Sequence, residues 1–334
     1  MTATASPRPE AGRQDEVTRA LTGGSIGTGR RLRNGAASVL MVVAFLAAAV
    51  PLAVMGAQVF SQGVSAVTSG GWWTSPIPET GRADLADNQQ MKDLGFGDTS
   101  SDADASGDTS VQLGMAPAIV GTILTVLGAS LLAIPLGIMG AVYLHEYGKT
   151  GRLAKFIRFM TDVMTGVPSV IMGVFIYTIW VLPRGVDGRS AWAASLALAC
   201  LMLPIVVRST EEMLRLVPDN LREASAALGT RTWKTTIKVV LPAALAGITS
   251  GSLLAVARAA GETAPVVFVI GFVKTTNWGF TGQNTTLSAQ IYSQQQNGGA
   301  LSTELAWGAA LTLVAIVLVL TLVARAISRR FSMQ

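Results

Sequence analysis

Long apolar runs alternate with polar segments along this chain, and six of the runs, 37–60, 116–143, 157–182, 191–207, 242–273 and 305–326, are candidates to cross a bilayer. A helix needs roughly 17 to 25 mostly apolar residues for that. The pattern therefore predicts an all-α polytopic membrane protein with six transmembrane helices (TM1 to TM6). The first run follows Arg30, Arg31 and Arg33, as the core of a signal peptide would, but its 24 residues exceed that core and predict a retained span. Pro135 predicts a tilt or kink in the second run, Pro168 sits near the middle of the third, and Pro242 opens the fifth. Gly166 and Gly173 allow another helix to come close to the third.

The polar intervals differ in character. Residues 1–36 show no apolar periodicity and are expected to form a disordered tail. Residues 61–115 form a long connection with seven aspartates between Asp84 and Asp108, expected to be a mobile outer loop. Asp102 and Asp104 lack the order of a calcium-binding hand, so no metal is expected there. Trp72 and Trp73 suit an interfacial anchor just past the first span. Gly148-Lys149-Thr150 has the ending of a phosphate-cradling loop, but Tyr143 stands where the first glycine is needed, so it is read as a plain loop with His145 at the surface. Thr165 and Ser169 either face a pore or bond back to their own helix. The stretch between the last two spans is polar and nearly uncharged, as for an aqueous outer surface.

Residues 211–241 make a polar, charged interval between two apolar spans. Pro218 and Asp219 signal a helix start, Leu221 to Leu228 continues as a short alanine-rich helix, and Gly229 can take the left-handed conformation that stops it. Thr230 or Thr232 could cap a second helix, on which Trp233, Ile237 and Val240 share a face. On these features alone the segment is an amphipathic hairpin at the membrane surface.

Composition agrees with the pattern: half of the 334 residues are hydrophobic, 13% are charged and the mean hydropathy is +0.47. A lone Cys200 excludes an intrachain disulfide. The basic balance, a net charge of +5, suggests nucleic acid only until the charges are placed. With six spans, nineteen Lys and Arg fall on the side of both termini and of the 211–241 segment, five fall on the other side, and Arg258 is left within the membrane. The positive-inside rule then expects both termini in the cytoplasm of a multi-pass protein surrounded by membrane lipid, with no nucleic-acid partner.

Arg258 and Glu262 are the charges that require a reason. A charge at the bilayer centre costs about 2.5 to 3.5 kcal/mol even on lenient insertion scales. Arg258 stands 16 residues past Pro242, roughly 24 Å along a helix and so near mid-span. Glu262 lies one turn further and can pair with it. A forked, permanently charged guanidinium suits an oxyanion better than a neutral solute or a cation. A purely structural ion pair is the other reading. Arg208, at the inner end of the fourth span, either lines the path or pairs with local acids such as Glu211 or Glu212, and Thr263 could donate a hydroxyl to an anion.

Glu223-Ala224 with the small Ser225 and Ala226, Gly229 six positions after the glutamate, and Leu241-Pro242 resemble the EAA loop of ABC importer permeases. The runs Gly166 to Val170, Leu203 to Arg208 and Arg258 to Pro265 extend the resemblance, over about residues 115 to 330, to phosphate permeases of that class. The resemblance implies a type I (MetI-like) importer permease fold and a permease core over 116–330. It further implies that Glu223, Ala224, Ser225, Ala226 and Gly229 couple the chain to an ATPase, and that Arg258, Glu262, Thr263 and Arg208 lie on the substrate path. Implied partners are a second, PstC-like permease, a dimeric PstB-like cytoplasmic ATPase, an extracytoplasmic PstS-like binding protein and phosphate itself. Hydrolysis would occur on the partner chain, since this one has no phosphate-cradling loop and needs no cofactor. Alternatives are the same fold serving sulfate or molybdate, and a secondary transporter or channel. A membrane enzyme is disfavoured because no cluster of His, Cys, Asp or Glu with ligand spacing falls within the spans.

Overall fold

The computed structural model of this protein describes residues 28–78, 112–148 and 151–331. The aspartate run and residues 1–27 of the expected tail lie outside them. The chain divides into two compact units, Met1–Ala57 and Gln58–Gln334. Where described, the first is the N-terminal part of α1, Thr28–Thr68, an apolar helix that carries Pro51 without ending.

The described residues are helical and form no strand. Helix α2, Ala116–Val142, keeps Pro135 inside it and runs on through a wide π turn, Tyr143–Gly148. After α3, Arg152–Gly166, and α4, Ser169–Ile176, the backbone continues in π and 3-10 turns to Gly188. Helix α5, Ala191–Arg215, is capped by Ser190, whose hydroxyl accepts from the Ala193 amide at 3.2 Å. Then come α6, Asp219–Ala227, and α7, Thr232–Thr235, which passes through a π turn into α8, Leu241–Ala260. The last helices are α9, Ala264–Val269; α10, Leu287–Asn297; and α11, Ala300–Phe331. Six helices among the described residues are long and apolar enough to cross a membrane. The molecule is thus an all-α, multi-pass membrane protein.

Helix α5 is the axis of the second unit. Small side chains let its neighbours approach: Ala129 and Ala133 of α2, Ala193, Ala194 and Ala197 of α5, and Ala255 and Ala259 of α8 are all buried in one core. Close packing of this kind suits a membrane, where apolar helices gain little from leaving lipid.

Four expectations need correction. The third span is not one helix over 157–182. Val167 is extended, as proline forces on the residue before it, so α3 stops and a span over Ser169–Gly188 begins anew. The fifth span starts earlier and ends sooner than 242–273, running over Thr232–Ala260. Pro242 does stand in the first turn of α8, as expected, where a missing N–H costs nothing, but the span has already begun in α7 and the π turn before it. Trp72 is no interfacial anchor: it is fully buried, its indole donates to Thr312 Oγ1 at 2.9 Å, and a side chain at Gly308 would strike its ring. The segment after α9, expected to be an aqueous surface, is one only in part: Trp278 and residues 295–300 are exposed, but its middle folds inward. Asn284, Thr285, Thr286, Ser288, Gln290 and Gln294 are all buried, and their amides and hydroxyls bond one another and the backbone.

Candidate functional site: a charged helix break and an exposed elbow

A proline just past its last turn brings helix α8 to an end. Pro265 has no N–H to give the carbonyl one turn back, and its ring crowds that carbonyl, so the helix stops at Ala260 and restarts at Ala264. The turn between remains tight: the Gly261 amide donates to the Arg258 carbonyl at 3.1 Å and the Glu262 amide to that of Ala259 at 3.2 Å. That geometry keeps Arg258 and Glu262 on one side, with Nε 3.6 Å from Oε1. The arginine side chain is 69% exposed and the glutamate 20%.

Arg258 therefore sits in the last turn of α8 rather than midway along a helix of 32 residues, and the pair straddles a break. A break in an apolar helix is tolerated where it is covered by protein or meets water. Protein covers part of this one. Helix α4 lies against α9 so closely that a side chain at Gly173 would come within 2.6 Å of the Pro265 backbone. The segment that restarts after Pro168 thus packs on the segment that restarts after Glu262. Thr263 precedes α9, its carbonyl accepts from the Val267 amide at 3.1 Å, and its side chain does not cap the helix.

Arg208 pairs with Asp162 of α3, not with Glu211 or Glu212. Glu211 is already taken: it is nearly buried and accepts from Arg158 Nε at 3.0 Å and Nη2 at 2.9 Å. The two pairs run across the α3–α5 contact, one turn apart on each helix. Periodicity could not have shown this, because it read most of α3 as membrane span. Thr165 bonds back to the Asp162 carbonyl at 2.7 Å.

Helix α6 with the turn after it forms a short elbow. Pro218 precedes it, Asp219 lies in its first turn, and Gly229 closes it at φ +73° with no other group near its missing side chain. Glu223, Ala224 and Ala226 are exposed, and Leu228 is 84% exposed. Ser225 is different. It is buried, and its hydroxyl lies 2.5 Å from that of Thr230 and 2.8 Å from that of Thr235. Thr230, expected as a cap, instead closes this trio and donates to the Ser225 carbonyl at 2.6 Å. Thus Ser225 holds the elbow shut while its neighbours face outward.

One residue that sequence reasoning missed fixes the elbow to the rest of the unit. The Arg222 guanidinium donates to the Leu214 carbonyl at 3.0 Å, to the Val217 carbonyl at 2.8 Å, to Asp219 Oδ1 at 3.0 Å and to Glu146 Oε1 at 3.0 Å. His145 Nε2 lies 3.3 Å away, so the lone histidine is part of this cluster rather than a free surface residue. Charge at a membrane-surface helix was the available signal, but its partners lie 76 and 77 positions back in sequence.

A multi-pass helical unit with a broken, charged helix and an exposed elbow between two spans has the design of a solute permease. Residues 133–333 match the family described as binding-protein-dependent transport system inner membrane component, and the chain belongs to that family. Its relatives include phosphate transport system permease protein PstA 1 of Mycobacterium tuberculosis (strain CDC 1551 / Oshkosh), 40% identical over 88% of each chain, and PstA of Mycobacterium leprae (strain TN), 39% identical over 91% of each. PstA of Yersinia pestis is 42% identical over 64% of this chain and 72% of that one. With relatives of this identity and coverage, the chain belongs among the PstA permeases.

Two solved structures share the fold. The inward-facing MetNI methionine ABC transporter matches 63% of this chain and 91% of that one with a TM-score of 0.51 at 20% identity. A bacterial ABC transporter involved in alginate import matches 90% of this chain and 96% of that one with a TM-score of 0.54 at 13% identity.

Proposed function

We propose that this chain is the membrane permease of an ATP-driven importer that carries inorganic phosphate into the cytoplasm. It works beside a second, PstC-like permease, a PstB-like ATPase dimer on the cytoplasmic side and an extracytoplasmic PstS-like phosphate-binding protein. The observation that carries this reading is the Arg258–Glu262 pair at the break after α8, in a chain whose relatives are phosphate transport permeases.

In the empty state Glu262 neutralises Arg258. Arriving phosphate offers the guanidinium a better match, two oxygens accepting two parallel N–H donors. The displaced carboxylate then repels the anion it has made way for, so binding is firm enough to admit phosphate and weak enough to release it. Thr263 contributes a hydroxyl donor at the same break. Arg208, held by Asp162, serves as an anchor at the inner end of the path.

The chain itself hydrolyses nothing. The ATPase acts on the 211–241 loop through Glu223, Ala224, Ala226 and Gly229, with Ser225 holding that surface in shape. The excess of Lys and Arg on the side of the termini supports a cytoplasmic location for both, outside a permease core over 116–330.

Arg258→Gln at an unchanged membrane level should lower uptake of labelled phosphate about tenfold or more, on the scale of losing a hydrogen bond to a charged group. Undiminished uptake would remove the arginine from the path.

A further inference from the structure

We infer that Ser288, at the start of α10, is a positioning residue for the translocation pair, holding the backbone that sets Glu262 against Arg258. This rests on the proposed role of that pair. The Ser288 side chain is buried, and its hydroxyl donates to the Glu262 main-chain carbonyl at 3.1 Å. The two residues are 26 positions apart, so the bond joins separate elements. A carbonyl at a helix break has lost the regular partner that a continuing helix would supply, and the serine provides a donor in its place.

Ser288 is itself held. Its oxygen lies 3.2 Å from Thr286 Oγ1, and Thr286 caps α10 by accepting from the Ala289 amide at 3.3 Å. The Leu287 amide donates to Thr122 Oγ1 of α2 at 2.9 Å, and Gln290 Nε2 donates to Thr285 Oγ1 at 2.9 Å. Buried polar groups are costly unless paired, so this run of hydroxyls and amides beneath a helix start needs a reason. Fixing one carbonyl of the charged break is such a reason. Removing the hydroxyl would leave the Glu262 carbonyl without this donor and loosen the backbone that sets the carboxylate against the arginine.

The test uses the whole assembled transporter in proteoliposomes with its binding protein and ATP, carrying Ser288→Ala, Ser288→Thr, Glu262→Gln, or Ser288→Ala with Glu262→Gln. Ser288→Ala should cut phosphate transport about fivefold or more and speed amide exchange at Glu262 to Val267 about tenfold, leaving exchange in α6 unchanged. Ser288→Thr should restore both. In the Glu262→Gln background the serine change should cost less than about twofold, because interacting positions are not additive. If Glu262→Gln alone abolishes transport, the exchange result decides.

Equal losses in both backgrounds, or unchanged exchange at the break in Ser288→Ala, would overturn the positioning role while leaving the pair in place. Normal transport by Glu262→Gln would instead overturn the pair, and the serine's role with it.

Discussion

Single residues do most when they satisfy several groups at once, and Arg222 is the clearest case. One guanidinium, 19% exposed, reaches two carbonyls at the end of α5, a carboxylate in its own helix and the nearly buried Glu146 at the end of α2. Arg222→Met strands Glu146 and both carbonyls, so it should lower stability by roughly 3 to 5 kcal/mol. Arg222→Lys keeps a charge but not the fork, and should recover only part of that. Thermal unfolding of the purified protein would rank the three. At this scale the sequence singles out Arg258, Glu262 and Gly229, because a charge in an apolar run and a glycine after a short helix are local signals. It could not announce Arg222, the inward turn of Ser225 or the burial of Trp72. Each depends on a partner brought in by the fold, such as the Gly308 backbone under the tryptophan ring.

Among the elements, what matters is where helices stop. Pro168 and Pro265 each cut an apolar run that periodicity reads as continuous, and the two restarted segments pack together through Gly173. Gly173→Leu should force α4 from α9 and abolish transport while leaving α6 in place, which amide exchange along both segments would reveal. The elbow depends on another stop. A side chain at Gly229 must adopt a backbone conformation that costs an L residue roughly 1 to 2 kcal/mol. Gly229→Asp should therefore leave a membrane-inserted chain whose ATP-driven uptake is lost, and normal uptake by that variant would refute coupling through the elbow. Hydropathy located the apolar runs but misjudged α3 and α10, for related reasons. Hydropathy reads most of α3 as membrane span and α10 as surface, and it cannot see that the charges of α3 pair with α5 or that the polar side chains of α10 pair within the fold.

For the whole molecule, the exposed elbow and the exposed arginine both point to other chains. Gentle detergent extraction should recover an ATPase and a second permease with this protein, and recovery of the chain alone from active membranes would count against the assembly. The helix whose last turn holds Arg258 begins at Thr232, just past the elbow, and remains helical for 29 residues, roughly 44 Å. A push delivered at the elbow end of a continuous helix of this length is passed along it to the far tip. Handle and jaw are then two ends of one lever, and the compliant place along it is the wide turn at Thr236–Val240.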